Sequence, residues 1–495
     1  MKSNNNMILN LLFCYFAMVL SACNKNNEPI QPDTPVISVD GDVKVLTTTT
    51  TKSYDLTPSA ISFSKKDNMS PRTVKINPSV TYQSIDGFGA AITGSTAVNL
   101  LKMSAEDRTA FLKKTFSKTE GYGFSYIRVS IGCSDFSLSE YTCCDTKGIE
   151  NFGLTSEETQ YVIPVIKEIL AINPDIKIMG SPWTAPLWMK VKDLETKAPS
   201  ESWTGDYLNP DYYQDYATYF VKWIKAFQQN GINIYAVTLQ NEPLNKGNSA
   251  SMFMGWEQQR DFIKTAVGPA FEKAGIKAKI YAFDHNYNYD NLEDQKSYPA
   301  RIYADSEAAK YIAGAAYHNY GGNKDELDNM HDAFPDKELI FTESTQGDWN
   351  DGSNFAAKFI GDMEEITLGT VNRWSRGAII WNLMLDANRG PNRPGGCIDG
   401  FGAVDIDKEY KRIRYNSFYY IMAHMSSVVE SGAVRIESEG FTTTGLTYSA
   451  FMNPDGSMAF VVSNNNSENI NLTLDDGTHH FMVPVPSKGV VSLKW

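Results

Sequence analysis

The sequence predicts a (β/α)8 barrel with an attached β-sandwich side domain, and three features carry that reading. Between about residues 81 and 414, short apolar runs alternate eight times with helical stretches. From about residue 415 the pattern changes to short strands separated by turn signals. At 495 residues the chain can hold one large domain and an accessory one.

The N-terminus reads as an address. Lys2 supplies a positive start, and Met7 to Leu20 is mostly apolar but shorter than the roughly 20 residues a membrane-spanning helix needs. The ending Leu20-Ser21-Ala22-Cys23 resembles the lipobox of bacterial lipoproteins. That resemblance implies a signal peptide over 1–22 and lipid on the Cys23 sulfur. It also implies attachment to the outer membrane through the lipid alone, at its periplasmic face or the cell surface. Residues 23–50, polar and Pro-bearing from Asn24 to Pro35, are expected to form a tether. Residues 51–80 lean toward strand and are expected to join the sandwich, whose edges need cover.

The barrel strands are predicted from continuous apolar runs, the pattern of strands buried on both faces. They are Ser84–Ala91, Ser125–Gly132, Lys177–Thr184, Ile232–Leu239, Lys279–Asn286, Ile312–Tyr320, Glu338–Glu343 and Gly377–Leu385. The helices between them carry start signals. Ser104 precedes Glu106 and Asp107, Thr155 and Glu158 have capping-box spacing, and Asn209-Pro210 combines a cap with a first-turn proline. An open doubly wound sheet is the alternative, but Asp86-Gly87-Phe88-Gly89 lacks the third glycine of a dinucleotide turn. Beyond the barrel (81–414), the domain at 415–495 shows six short strands, two of them joined by the turn Asn453-Pro454-Asp455-Gly456.

Composition narrows the function. A net charge of -13 without any Lys/Arg-rich run argues against nucleic-acid binding. The 12% of aromatic residues fits core packing or platforms for sugars and bases. Six cysteines in this length are no disulfide scaffold, and without a Cys-x-x-Cys pair a structural zinc site is not expected. A disulfide among the four cysteines beyond Cys23 stays open.

Chemistry in such a barrel sits at the C-terminal strand ends. The fourth run is followed by Gln240-Asn241-Glu242-Pro243, and the seventh ends in Glu343. Two carboxylates facing each other across the barrel mouth can split a glycosidic bond, one protonating the leaving oxygen and the other attacking the anomeric carbon. Asp135, Trp183, His285, His318, Tyr320 and Trp381 lie at other strand ends, a polar and aromatic set suited to a sugar ring. Trp183, Trp381 and His318 read equally well as core residues.

The motif Thr238-Leu239-Gln240-Asn241-Glu242-Pro243 resembles the acid/base segment of the large glycosidase clan built on such barrels. Gly87-Phe88-Gly89-Ala90-Ala91, Ser134-Asp135-Phe136-Ser137, Gly180-Ser181-Pro182-Trp183-Thr184-Ala185-Pro186 and Trp381-Asn382-Leu383 follow the order of glycoside hydrolase family 30. The resemblance implies a retaining hydrolase with Glu242 as acid/base and Glu343 as nucleophile. It implies substrate contacts from Asp135, Trp183, Asn241, His318, Tyr320 and Trp381, with Tyr320 orienting the nucleophile, and it requires no metal or organic cofactor. The substrate it implies is a polysaccharide, foremost β-1,6-glucan cleaved internally. The alternatives are an exo-acting β-glucosidase or glucosylceramidase, a xylanase, or a non-catalytic glycan-binding lipoprotein. Asn319 and Thr93-Gly94 depart from patterns common in the family and bear on substrate choice. A monomer is favoured.

Overall fold

The computed structural model describes residues 40–65 and 71–495. The signal peptide, Cys23 and most of the expected tether lie outside them. Three strands precede the barrel: β1 (Val43–Thr49), β2 (Thr57–Ile61) and β3 (Thr73–Ser84). The barrel strands follow as β4 (Gly87–Ala91), β5 (Tyr126–Ser130), β6 (Lys177–Ser181), β7 (Ala236–Thr238), β8 (Lys279–Asn286), β9 (Gly314–His318), β10 (Glu338–Glu343) and β11 (Ser375–Ile380). They close into one parallel barrel in chain order. Seven of the predicted runs contain one of these strands, and the eighth, Gly377–Leu385, overlaps β11, which begins two residues earlier and ends at Ile380.

Short two- and three-stranded sheets decorate the barrel loops, and the C-terminal strands are β12 (Val434–Gly440), β13 (Leu446–Met452), β14 (Met458–Asn464), β15 (Ile470–Asp475), β16 (His480–Val485) and β17 (Gly489–Lys494). With β1–β3 they make a nine-stranded sheet in the order β2-β1-β17-β14-β13-β12-β3-β15-β16. The sheet folds over a core that includes Val43, Val74, Phe460, Leu472 and Phe481. Its two ends meet where the Ser64 amide donates to the His480 carbonyl at 2.7 Å.

Two predicted boundaries are corrected. The tether does not extend to residue 50, because β1 begins at Val43 and lies between β2 and β17. Val43 and Val45 are buried, and the threonines after them are β-branched strand formers rather than linker residues. The sandwich does not begin at 415, because Ser417–Ser426 is a helix buried along its whole length. Buried on every side, it shows no amphipathic stripe to a reader of sequence. Its His424 joins the two units, with Nδ1 at 2.8 Å from Ser492 Oγ and Nε2 at 2.9 Å from Thr48 Oγ1. Burial pushes this imidazole down to about 3, so it stays neutral.

The predicted helix signals operate. The Ser104 hydroxyl accepts from the Asp107 amide at 3.1 Å, and the Thr155 amide donates to the Glu158 carboxylate at 2.8 Å. Asn209 Oδ1 caps the amide of Asp211. The cysteines at 133, 143, 144 and 397 are free thiols.

Inside the barrel, Tyr126, Met179, Ala236, Tyr281, Ala316, Ile340 and Ile379 form one apolar layer, one residue from each of seven strands. Large and small side chains share this layer and leave no room for substrate, so the chemistry must sit above it. Glycines let neighbouring strands approach. A Cβ on Gly314 would lie 1.8 Å from the Glu338 carbonyl oxygen. Gly314→Ala is therefore expected to lower stability by about 3 kcal/mol through overpacking. Gly361→Ala, in a helix with nothing within 4 Å, should raise it by about 0.5–1 kcal/mol. Thermal unfolding of the two variants reads both signs.

Candidate active site

Side chains two residues apart on a strand share a face. One step up from the apolar layer therefore come Arg128, Ser181, Thr238, His318 and Thr342 from five strands, and Trp381 directly after β11. Strand β8 breaks the alternation. Its register shifts between Phe283 and His285, and Phe283 and Asp284 take φ of 73° and 75°. Phe283 then packs against Tyr298 and Tyr317, and Asp284 reaches the network in its place.

This layer is a buried charge network. Arg128 donates to Asp284 at 2.7 Å, to Glu343 at 2.5 Å, to Asn241 Oδ1 at 2.7 Å and to Ser181 at 3.1 Å. Asp284 also accepts from Thr238 and Thr342, each at 2.6 Å, and meets His318 Nε2 at 3.0 Å. Burial opposes its charge, but Arg128 and His318 outweigh it and hold its carboxyl well below the usual range.

Glu242 and Glu343 stand at the open end of this network, each 5% exposed. Glu242 follows β7 in a left-handed conformation, φ 46°, with its amide on the Asp284 carbonyl. Its Oε2 accepts from Asn245 at 2.9 Å and Asn248 at 2.5 Å, and its Oε1 lies 3.4 Å from His318 Nδ1. Glu343 Oε1 accepts from the Tyr320 hydroxyl at 3.0 Å, and that hydroxyl also lies 3.0 Å from Thr345 Oγ1. Oxygens of the two carboxylates approach within 4.8 Å. That spacing matches the roughly 5–5.5 Å of a nucleophile and acid/base pair and falls short of the roughly 6.5–9.5 Å at which a water attacks the sugar directly.

The other predicted residues gather around this pair. Trp183 and Trp381 stack at 4.8 Å and are buried, with the Arg128 guanidinium 5.1 and 5.5 Å from their rings. Asp135 is half-buried, with its Oδ1 enclosed and unpartnered, and burial with the nearby Glu343 and Glu242 pushes it up to about 8. Asn241 is held by Arg128, and its own amide donates to the Pro182 carbonyl at 2.7 Å. Tyr320 is 43% exposed and lies at the rim.

The acid/base role read for Glu242 requires a proton at that site, and its surroundings do not favour one on Glu242 alone. Burial favours its neutral form, but the hydrogen bond from His318 and the neighbouring imidazoles bring it down to about 2. His318 loses by burial and gains more from Glu343, Asp284 and Glu242, reaching about 9. Glu343 is raised by burial and by Glu242, against His318 and Arg128. His318 and Glu242 are therefore a coupled pair that shares one proton across their 3.4 Å contact.

Among the described residues, Glu242, His318 and Glu343 also bring three potential metal-ligand atoms together. Both His318 nitrogens already face carboxylates, and Glu343 is bound to a guanidinium that a cation would have to displace. The donor set suits proton transfer better than metal binding.

Arg128 and Asp284 were not singled out from sequence, although a signal exists. Each is a charge inside an otherwise apolar barrel run, and a buried charge needs a partner. Asn245 and Asn248 lie on a loop and carry no such signal.

Family models match most of the chain. The "Glycosyl hydrolase family 30 TIM-barrel domain" covers residues 85–429, and the "Glycosyl hydrolase family 30 beta sandwich domain" covers 432–493. An endo-1,6-beta-D-glucanase of Neurospora crassa is 32% identical over 463 residues, 90% of this chain and 91% of that protein. The lysosomal acid glucosylceramidase of Mus musculus is 31% identical over 456 residues, 85% of this chain and 82% of that protein. A solved structure of the endo-beta1,6-glucanase BT3312 is 61% identical with a TM-score of 0.90, covering 92% of this chain and 99% of the other.

Removing one partner of a buried ion network leaves the others uncompensated. Arg128→Met, which exposes Asp284 and Glu343 to each other, is expected to cost about 3–5 kcal/mol. A thermal midpoint within a degree of wild type would show that the network does not stabilise the fold.

Proposed function

The chain belongs to glycosyl hydrolase family 30, and we propose that it is an endo-acting β-1,6-glucanase working by double displacement. The observation that carries the mechanism is the pair of carboxylates within 4.8 Å, one after β7 and one at the end of β10. The 61% identical endo-beta1,6-glucanase supports the substrate.

The steps follow from the geometry. An oxygen of Glu343, aligned by Arg128 and Tyr320, attacks the anomeric carbon. The glycosidic C–O bond breaks, its electron pair stays on O6 of the leaving glucose, and Glu242 supplies the proton. That proton reaches Glu242 from His318 across the 3.4 Å contact. Once Glu343 is an ester it carries no charge, and Glu242 is ionised and ready to act as base. Water then attacks the anomeric carbon, Glu242 takes its proton, and the ester bond breaks to restore the Glu343 carboxylate. Two inversions give net retention.

Asp135, Asn241, Trp183 and Trp381 form the walls that meet the reacting sugar. Beyond them Trp349, on the loop after β10, is 52% exposed. Its ring lies over Gly347, where a Cβ would come within 2.0 Å of it. One face is thus braced and the other free, as a platform for a further glucose would be. The lipobox-like ending at Cys23 supports attachment of this enzyme to the outer membrane through lipid, where polymeric glycan is met outside the cytoplasm.

Products from a panel of β-1,6-glucan, β-1,3-glucan, xylan and an aryl β-glucoside test the substrate. Oligosaccharides of mixed length from β-1,6-glucan are expected; glucose alone or activity only on xylan would reject the reading. Glu242→Gln should lose about 10²–10⁴-fold on glucan. It should lose much less in the glycosylation step with an activated aryl leaving group, and equal losses would remove Glu242 as the acid. The pH profile of kcat/KM should be bell-shaped. Its acid limb lies above the ordinary glutamate value because Glu343 is raised, and its basic limb follows loss of the His318–Glu242 proton. Trp349→Ala should raise KM for the polymer about tenfold, with little change on the aryl glucoside.

A further inference from the structure

His285 is fully enclosed, its side chain 1% exposed, yet its Nε2 has no hydrogen-bond partner. A buried donor left unpaired is costly, so its surroundings deserve a functional explanation. Its other nitrogen, Nδ1, faces the Leu244 amide at 3.4 Å and accepts from it. The ring proton therefore sits on Nε2. That N–H points between two carboxylates, 3.9 Å from Glu242 Oε1 and 3.4 Å from Asp290 Oδ2. Asp290 is fixed from its far side by the Asn286 amide at 2.9 Å and is 29% exposed at the edge of the pocket. The charged groups around His285 are thus Glu242 after β7, Asp290 and Asp284 near its own strand, and His318 on β9.

We infer that His285 is a positioning residue that sets the acidity of Glu242 by supplying a neutral N–H donor when that carboxylate ionises. The inference rests on Glu242 being the acid/base of the proposed reaction. While Glu242 holds its proton the His285 donor is idle. When the proton passes to the leaving oxygen, negative charge develops on Oε1, and a small closure of the 3.9 Å gap forms the missing bond. Burial keeps the imidazole neutral, so it donates this bond without competing for the proton as His318 does. The two histidines therefore have different tasks. His318 stores the proton, and His285 stabilises the charge its departure leaves. The same donor lowers the basicity of Glu242 in the ester intermediate, keeping it ionised for the water step.

The test is the pH dependence of kcat/KM for His285→Phe, which keeps the ring's bulk and removes the donor. Two substrates are compared: β-1,6-glucan, whose departing sugar needs a proton, and dinitrophenyl β-gentiobioside, whose leaving group does not. On glucan, kcat/KM should fall about tenfold and the basic limb should rise by about one pH unit, the effect of losing a hydrogen bond to a charged group. On the dinitrophenyl substrate kcat/KM should stay within about twofold. His285→Gln, which returns an amide donor, should recover most of both changes. If His285→Phe does not fold, His285→Asn, whose amide is too short to reach Glu242, is measured in its place. A basic limb that does not move, or an equal loss on both substrates, overturns the inference and leaves the glucanase reading intact. A wild-type protein that turns over neither substrate removes that reading and this inference with it.

Discussion

A single buried guanidinium holds the site together. Arg128 is enclosed completely and bonds to Asp284, Glu343, Asn241 and Ser181, groups on or after five different barrel strands counting its own. Taking a guanidinium and two carboxylates out of water costs several kcal/mol per ion, and only full pairing offsets it. That condition fixes the side chains to one arrangement. The planar fork reaches two carboxylates at once, which the point charge of a lysine would not do. Glu343 is thereby aimed by the same cation that keeps it soluble in the interior, while Glu242 stands one histidine away.

The barrel is built as layers because its strands have a period of two. At the lower end Lys177 and Arg376 pair with Asp86, and Lys279 and Arg376 pair with Glu338. Above them the apolar layer from Tyr126 to Ile379 fills the interior. Above that comes the charge network, and then the carboxylates of Glu242 and Glu343. Polar groups at both ends face each other only through the apolar layer, so each network can be satisfied separately. The bulge in β8 is the one departure from the period. It turns Phe283 outward and delivers Asp284 to the network and His285 to the back of Glu242.

Much of this was legible from sequence, for identifiable reasons. The eight strands were visible because strands buried on both faces are continuously apolar. The two glutamates stood out because each follows such a run directly, where a solvated charge is out of place. Other features were hidden. β1 was concealed by a threonine-rich stretch that looks like a linker, and the helix at Ser417–Ser426 by burial on every side. Phe283 should point inward by alternation, and nothing in Tyr281-Ala282-Phe283-Asp284-His285 announces the bulge that reverses it. The raised basicity of His318 was also hidden, because it depends on three carboxylates from different strands encircling the imidazole.

The central claim is that Glu343 forms a covalent bond to the sugar. Incubation with a 2-deoxy-2-fluoro β-glucosyl fluoride, extended by a β-1,6-linked glucose where a second sugar is needed, should trap that ester. Mass spectrometry of the digested protein is predicted to find one added glycosyl group on the peptide containing Glu343, and none in Glu343→Ala. A glycosyl group on another residue, or an active enzyme that the reagent neither slows nor labels, would contradict it.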